Sequence, residues 1–311
     1  MQMKAVIVKK YGGPEVLQIS ATQKPMPRSR EILVKISYAT VSTGTVLLRR
    51  GKVPDSPLFT ILMRLIFGIT RPRQEIPGVE FSGIVEEVGA DVQSFKKGDE
   101  VYGTTTGLKK GAYAEYVCIP EKWKWGVIAH KPKELSLEEA AALPVGTMTA
   151  LELLTKAGIS AGDHVLITGA SGNVGNYAVQ IARYYGARVT AVCGTANMEW
   201  VKATGADEVI DYKKQDITRL SDRFDIVFEG SGRISPSLLK PLLKKKGRFA
   251  SVKTLTSEKN EKPVTIHKMI EAGKLRPVID RVYRLNQVVE AHHYFDQGKK
   301  GNVVIEIAGN R

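Results

Sequence analysis

Through the first 120 residues, apolar and polar positions alternate in short runs broken by Gly and Pro. Residues 4–9, 31–38, 83–88 and 112–119 read as strands, punctuated by GGP at 12–14 and KKGDE at 96–100. This spacing predicts an antiparallel β domain with one strand face turned to a core. The period lengthens over 138–157, where AAALP and ALELLTKAG carry helical spacing. From residue 164 strands and helices alternate: HVLITG, NVGNYAVQIARYYGA, ARVTAVCG, MEWVKATGA, DEVIDY and FDIVFEG. A helix over PSLLKPLLKKKG and a strand over RFASVKT follow. Such alternation calls for a parallel, doubly wound sheet, so the fold class is α/β with a second, β-rich domain. The tail adds helical PVTIHKMIEAGKL, extended VIDRVYRL, helical NQVVEAHHYFDQGK and a last strand, NVVIEIAG.

Composition narrows the function classes. The two cysteines, Cys118 and Cys193, cannot form a disulfide framework or a four-thiolate zinc site. The longest apolar stretch, 58–69, is interrupted by Arg64 and falls short of the ~20 residues a bilayer span needs. The opening MKAVIVKK has no apolar signal core, so the expected compartment is a reducing cytoplasm. Segment 56–73 has three readings: a short helix packed on the β domain, a lid over an apolar pocket, or a membrane-surface helix. A net charge of +14 favours anionic neighbours, but the bases are scattered, and no basic helix with interleaved aromatics or zinc finger marks a nucleic-acid binder.

One motif carries chemistry. The strand at 164–168 runs into Gly169-Ala170-Ser171-Gly172-Asn173-Val174-Gly175 and then directly into a helix. Ala170, Gly172 and Gly175 occupy the three small positions of a dinucleotide fingerprint: tight turn, room for the pyrophosphate, and close helix–sheet packing. The helix N-terminus then offers N–H groups to phosphate. Ser171 is no nucleophile elbow, because Asn173 stands where that motif needs Gly. The next strand ends in Val192-Cys193-Gly194-Thr195, without the carboxylate that a ribose 2′-hydroxyl requires about 20 residues on. Thr195, Asn197 and Tyr212 are candidate donors to a 2′-phosphate, with Lys202 or Lys213 adding charge, so NADPH is favoured over NADH.

Taken in order, several stretches resemble the medium-chain dehydrogenase/reductase superfamily, in its zinc-free quinone oxidoreductase branch. They are MKAVIVKKYGGPEVLQI, PGVEFSGIVEEVG, KKGDEVYG, GAYAEY, EEAAALPVGTMTAL, GASGNVG, TGADEVIDY, EAGKLRPVID and KKGNVVI. The resemblance implies a GroES-like catalytic domain at 1–122, completed by 271–311, a Rossmann NADPH-binding domain at 123–270, and a coenzyme in the cleft between them. It also implies that Thr149 lies near the nicotinamide, and that Gly230, Ser231, Val252 and Asn302 line the cleft.

Zinc alcohol dehydrogenases of the superfamily place a ligating Cys where this chain has Ser42, and a His where it has Val79. The five His (130, 164, 267, 292 and 293) show no ligand spacing, so no metal is expected. What remains is hydride delivery to a quinone or to the C=C of an α,β-unsaturated carbonyl, the chemistry the resemblance implies. Relatives commonly have Asn and Asp in the stretch Ser42-Thr43-Gly44-Thr45. Here Ser42, Thr45 and Val46 are the substrate-pocket candidates, and no acid stands among them. Two alternatives stay open: an enoyl-thioester reductase, and a nucleotide-binding protein of weak turnover with a structural or RNA-binding role. Many relatives insert a further sheet strand after RFASVKT; its lack in TLTSEKNEKP leaves monomer and homodimer both open.

Overall fold

The computed structural model describes residues 1–53, 56–257, 262–298 and 300–308. The chain divides into two units, Met1–Pro144 with Ile279–Arg311, and Val145–Val278.

In the first unit, β1 (Gln2–Ile7) and β2 (Gln18–Gln23) pair antiparallel. The longest strand, β3 (Glu31–Val41), is buried at every residue but Glu31, Lys35 and Tyr38. It leads into α1 (Thr43–Arg50) and α2 (Pro57–Phe67). Then come β4 (Glu80–Val88), β5 (Glu100–Thr104), β6 (Tyr116–Pro120), β7 (Ile128–His130) and α3 (Leu137–Ala141), whose Ser136 and Glu139 form a capping box. Residues 112–115, expected as strand, form an isolated Ala5–Ala114 bridge with β1, in which Val6 donates to the Tyr113 carbonyl at 2.8 Å and Glu115 to the Lys4 carbonyl at 3.0 Å. The N–H groups of Gly111, Ala112 and Tyr113 are instead bonded to the carbonyls of Ile76, Gly78 and Pro77.

The second unit opens with α4 (Pro144–Lys156) and runs β8 (His164–Thr168), α5 (Asn173–Tyr184), β9 (Arg188–Cys193), α6 (Met198–Ala203), β10 (Glu208–Asp211), β11 (Phe224–Glu229), α7 (Pro236–Leu239), β12 (Leu243–Ser251) and α8 (Lys262–Glu271). Its five strands are all parallel, in the order β10-β9-β8-β11-β12. Strand order reverses between β8 and β11, the switch point where ligands bind open α/β sheets. The inner strands are apolar on both faces, as helices on both sides require. Leu166, Val192, Phe224, Val227, Leu239 and Leu242 form one of its cores.

The helix expected over PSLLKPLLKKKG is shorter. It ends in a 3-10 turn at Leu242, and Leu243 already starts β12. Pro241 breaks the helix, and Lys244, Lys245 and Lys246 line an edge strand, where charge blocks further pairing. Among the described residues no strand lies between β12 and α8; residues 258–261 of TLTSEKNEKP lie outside them.

The chain returns to the first unit with β13 (Ile279–Arg284), α9 (Val288–Gln297) and β14 (Asn302–Glu306). Strand β14 lies antiparallel to β3 and parallel to β13, giving a seven-stranded sheet. The sequence placed the domain boundaries at 122/123 and 270/271. In the structure β7 pairs with β5, which carries the first unit on to Pro144, and the return begins at Ile279.

Candidate functional site

At the C-terminal end of β8 the chain turns through Gly169 with φ +63°. This is the left-handed region that glycine enters without strain. The tight-turn residue is therefore Gly169, where the sequence pattern pointed to Ala170. Ala170 is fully buried and its N–H is bonded to the Val192 carbonyl at 3.1 Å, so it packs the turn and has no donor left for a ligand. A Cβ on Gly175 would meet the Gly169 oxygen at 2.1 Å, which makes Gly175 the close-packing position. At Gly172 a Cβ would meet only that same oxygen, at 3.2 Å, and otherwise face open space.

Gly172 is also the N-cap of α5. No side chain caps this helix and its first turn holds no acid. The first intrahelical bond comes from the Asn176 N–H to the Gly172 carbonyl, so the N–H groups of Asn173, Val174 and Gly175 have no partner within the helix. A glycine left open at an uncapped helix start is a ready anion site. Beside it, Thr168 Oγ1 and Asn173 Oδ1 are buried without a hydrogen-bond partner. Asn173 Oδ1 lies 2.4 Å from the position of a Cβ on Gly146, so a side chain there would collide with the start of α5. Thr149 is one turn further along α4 and half-buried. An open glycine, an uncapped helix and two orphaned polar atoms together fit a bound dinucleotide.

At the other side of the switch point, Glu229 pairs in register with Thr168. It is fully buried, accepting from the Ser231 N–H at 3.0 Å, the Ser231 hydroxyl at 2.5 Å and the Ser251 hydroxyl at 3.1 Å. Gly230 donates to the Thr168 carbonyl at 3.1 Å, and Val252 to the Glu229 carbonyl at 3.0 Å. Gly230, Ser231 and Val252 thus gather around a carboxylate that the sequence reading did not single out. Its only signal was an acid closing the apolar run FDIVF immediately before Gly-Ser-Gly.

The tip of β9 holds a second finding. Thr195 Oγ1 donates to Asp211 Oδ2 at 2.6 Å, while Lys213 N–H donates to Oδ1 at 3.0 Å. The Thr195 hydroxyl is the first cause holding this carboxyl below its usual range. A carboxylate does reach this region, contributed by the next strand, but both oxygens are engaged and Asp211 is buried. Thr195, read as a donor to a ligand, gives its proton to Asp211 instead. Asn197 Oδ1 accepts from Trp200 Nε1 at 3.0 Å, which leaves Nδ2 as its donor end. Tyr212 is exposed, its hydroxyl 3.3 Å from the position of a Cβ on Gly194. Burial pushes the Cys193 thiol up to about 11, so it is no thiolate at neutral pH.

In the first unit, Ser42 caps α1. Its Oγ accepts from the Thr45 N–H at 3.3 Å and lies 3.1 Å from Thr45 Oγ1. Thr45 lines a cavity of about 20 Å³ with Tyr11, Leu48, Arg49, Phe67 and Gly78, room for about one water. Val46 belongs to the core of this unit. Asn302, buried at the start of β14, pairs in register with Ile279.

Behind α1 runs a buried polar chain absent from the sequence reading. Arg49, 1% exposed, places Nη1 3.1 Å from His292 Nδ1 and Nη2 3.0 Å from Asp296 Oδ2. Because the guanidinium can only donate, Nδ1 accepts and the proton sits on Nε2. Nε2 then donates to the Tyr113 hydroxyl at 3.1 Å, which donates to the Thr40 carbonyl at 3.0 Å. Burial first, then Arg49, pushes His292 down to about 3, so the ring is neutral. Its neighbour His293 faces outward and pairs with Glu15 at 2.9 Å.

Zinc is the group that this fold's relatives raise. Around Ser42 the donors are hydroxyls, Val79 is apolar, and both His292 nitrogens are engaged; this set does not fit a zinc ion. Among the described residues no three His, Cys, Asp or Glu side chains are grouped to hold a metal.

Comparison with known proteins agrees with this architecture. The alcohol dehydrogenase GroES-like domain matches residues 28–130, and the zinc-binding dehydrogenase family matches 173–276. A second zinc-binding dehydrogenase model matches 254–305. The chain belongs to the medium-chain dehydrogenase/reductase superfamily, in its quinone oxidoreductase branch. It is 34% identical to a 2-methylene-furan-3-one reductase of Solanum lycopersicum, over 98% of this chain and 79% of that one. It is 30% identical to an NADPH-dependent alkenal/one oxidoreductase of Arabidopsis thaliana, over the same shares, 98% and 79%. Among solved structures, the quinone oxidoreductase from Coxiella burnetii superposes with a TM-score of 0.82 at 27% identity, covering 99% of this chain and 100% of that one.

Proposed function

We propose that this protein is a metal-independent oxidoreductase that uses NADPH in preference to NADH to reduce quinones or the C=C of α,β-unsaturated carbonyls. The reading rests on Gly172, the open N-cap of an uncapped helix at the sheet's switch point. When bound, the coenzyme supplies a hydride. Asn173, Val174 and Gly175 hold its pyrophosphate with their N–H groups. Tyr212, Asn197 Nδ2 and Lys213 surround the 2′-phosphate, while Asp211, both of whose oxygens accept from Thr195 and the Lys213 N–H, has no oxygen free to take a ribose 2′-hydroxyl. The Ser42–Thr45 pair has two hydroxyl protons and one mutual bond, so one proton is left to polarise a substrate carbonyl. Its relatives, a 2-methylene-furan-3-one reductase, an alkenal/one oxidoreductase and a quinone oxidoreductase homolog, support the same acceptors.

NADPH and NADH consumption across quinones, alkenals, enones and crotonyl-CoA tests this reading. Turnover with NADPH on a quinone or alkenal, slower with NADH, is expected. A thioester outpacing them would make the enzyme an enoyl-thioester reductase; turnover with none would end the proposal.

A further inference from the structure

Helix α2 is mounted inside out. An amphipathic helix on a globular protein turns its apolar stripe to the core, yet no residue of α2 is buried. Leu58, Phe59, Ile61, Leu62, Leu65 and Ile66 are all exposed, from 49% for Leu62 to 75% for Leu58. At 3.6 residues per turn these six fall on one stripe about 160° wide. The polar side chains fasten the helix to the protein instead. Thr60 Oγ1 accepts from the Val53 N–H at 2.9 Å, and Arg64 Nε donates to the Gly51 carbonyl at 2.8 Å. The Arg64 guanidinium lies over the Tyr11 ring, and the Tyr11 hydroxyl donates to the Gly68 carbonyl at 2.5 Å. Segment 56–73 thus holds a short helix fastened to its unit, as the packed reading expects, but through the face that carries Thr60, Met63 and Arg64.

Charge identifies the occupant of the outward stripe. Residues 42–74 contain Arg49, Arg50, Lys52, Arg64, Arg71 and Arg73 against one acid, Asp55. Lys52, Arg71 and Arg73 are exposed, as is Arg50, which is paired with Asp296. A twofold pairing with a second copy brings this patch against itself and so supplies no acids to match its exposed bases. An anionic bilayer surface matches both features, taking the apolar stripe into its acyl boundary and the bases at its headgroups. At about 16 Å, eleven residues lie in the interface and do not cross it.

We propose that α2 docks this protein on anionic lipid surfaces. Cosedimentation of the full chain with phosphatidylcholine vesicles, with and without phosphatidylglycerol, tests it. Binding is expected only with the anionic lipid, weakening as salt rises, and falling at least about tenfold in both L62S/I66S and K52E/R71E. Both variants change exposed side chains, and unchanged melting temperatures confirm their folds. Failure to bind any vesicle overturns the proposal, as does binding that neither variant weakens. A dimer seen by light scattering that L62S/I66S dissociates, without vesicle binding, assigns the stripe to a second copy and overturns it as well.

Discussion

The carbonyl oxygen of Gly169 stands where a Cβ on Gly175 would have to be, 2.1 Å away. The turn and the helix are thus locked together by the lack of one methyl group. Gly175→Ala should destabilise the protein by about 1–3 kcal/mol through overpacking against a backbone that cannot move aside. Gly162→Ala is the control. It has φ +85° but nothing within 4 Å of its Cβ, so only backbone strain of about 1 kcal/mol is expected. Urea unfolding of both variants checks the order.

His292 makes stability depend on pH in a defined direction. Its folded value is pushed down to about 3, against 6.5 unfolded. The unfolded chain therefore binds the extra proton between those values, and stability is lost as pH falls from about 6.5 toward 3. The limiting slope is about 1.4 kcal/mol per pH unit. Asp296 is also held below its usual value by Arg49 and Arg50 against the opposing effect of burial, but it titrates lower. His164, also held down by burial, and Glu138, held up by it, titrate in the same window, so His292's share is the part of the slope that its substitution removes. His292→Gln, neutral throughout, should flatten that arm of a stability–pH curve. An unchanged slope would show that the imidazole is not held neutral.

Arg49 holds His292 and Asp296 at once from a fully buried position. Arg49→Met should cost about 3–5 kcal/mol, because it strips a half-buried carboxylate of one partner and the ring of its donor. Arg49→Lys should not restore the loss, since a single ammonium cannot reproduce a two-pronged contact. Thermal melts of the two variants read this directly.

Much of this molecule could be read along the chain, and what could not has physical causes. The strand–glycine–helix passage at 164–184 is local, so its pattern announced both the element and the open Gly172. Ala170 was assigned the turn because a pattern of small residues does not say which one carries positive φ; Gly169 does. Glu229, Asp211 and the Arg49–His292–Tyr113 chain depend on partners brought together by folding. Arg49 and His292 are separated by 243 positions, and no spacing rule joins them. The inverted mounting of α2 was equally hidden, since its apolar residues look like core until Thr60 and Arg64 are seen holding it the other way round.

The proposed coenzyme preference can be tested at one position. Gly194 lies at the tip of β9 beside the Tyr212 hydroxyl. Gly194→Asp places a carboxylate where a 2′-phosphate would sit and where a ribose hydroxyl would be welcomed. NADPH affinity should fall on the order of tenfold or more, with NADH affinity held or raised. Fluorescence titration with each coenzyme measures both constants.

The open glycine itself offers the most direct measurement: NADPH titration of Gly172→Asp beside the parent protein. Asp is among the best N-cap residues, but its Cβ would press on the Gly169 oxygen at 3.2 Å, so stability should change by less than about 1 kcal/mol. The same carboxylate would stand against the pyrophosphate, and NADPH binding should vanish while the melting temperature holds. Undiminished NADPH affinity in a folded Gly172→Asp protein would contradict the account.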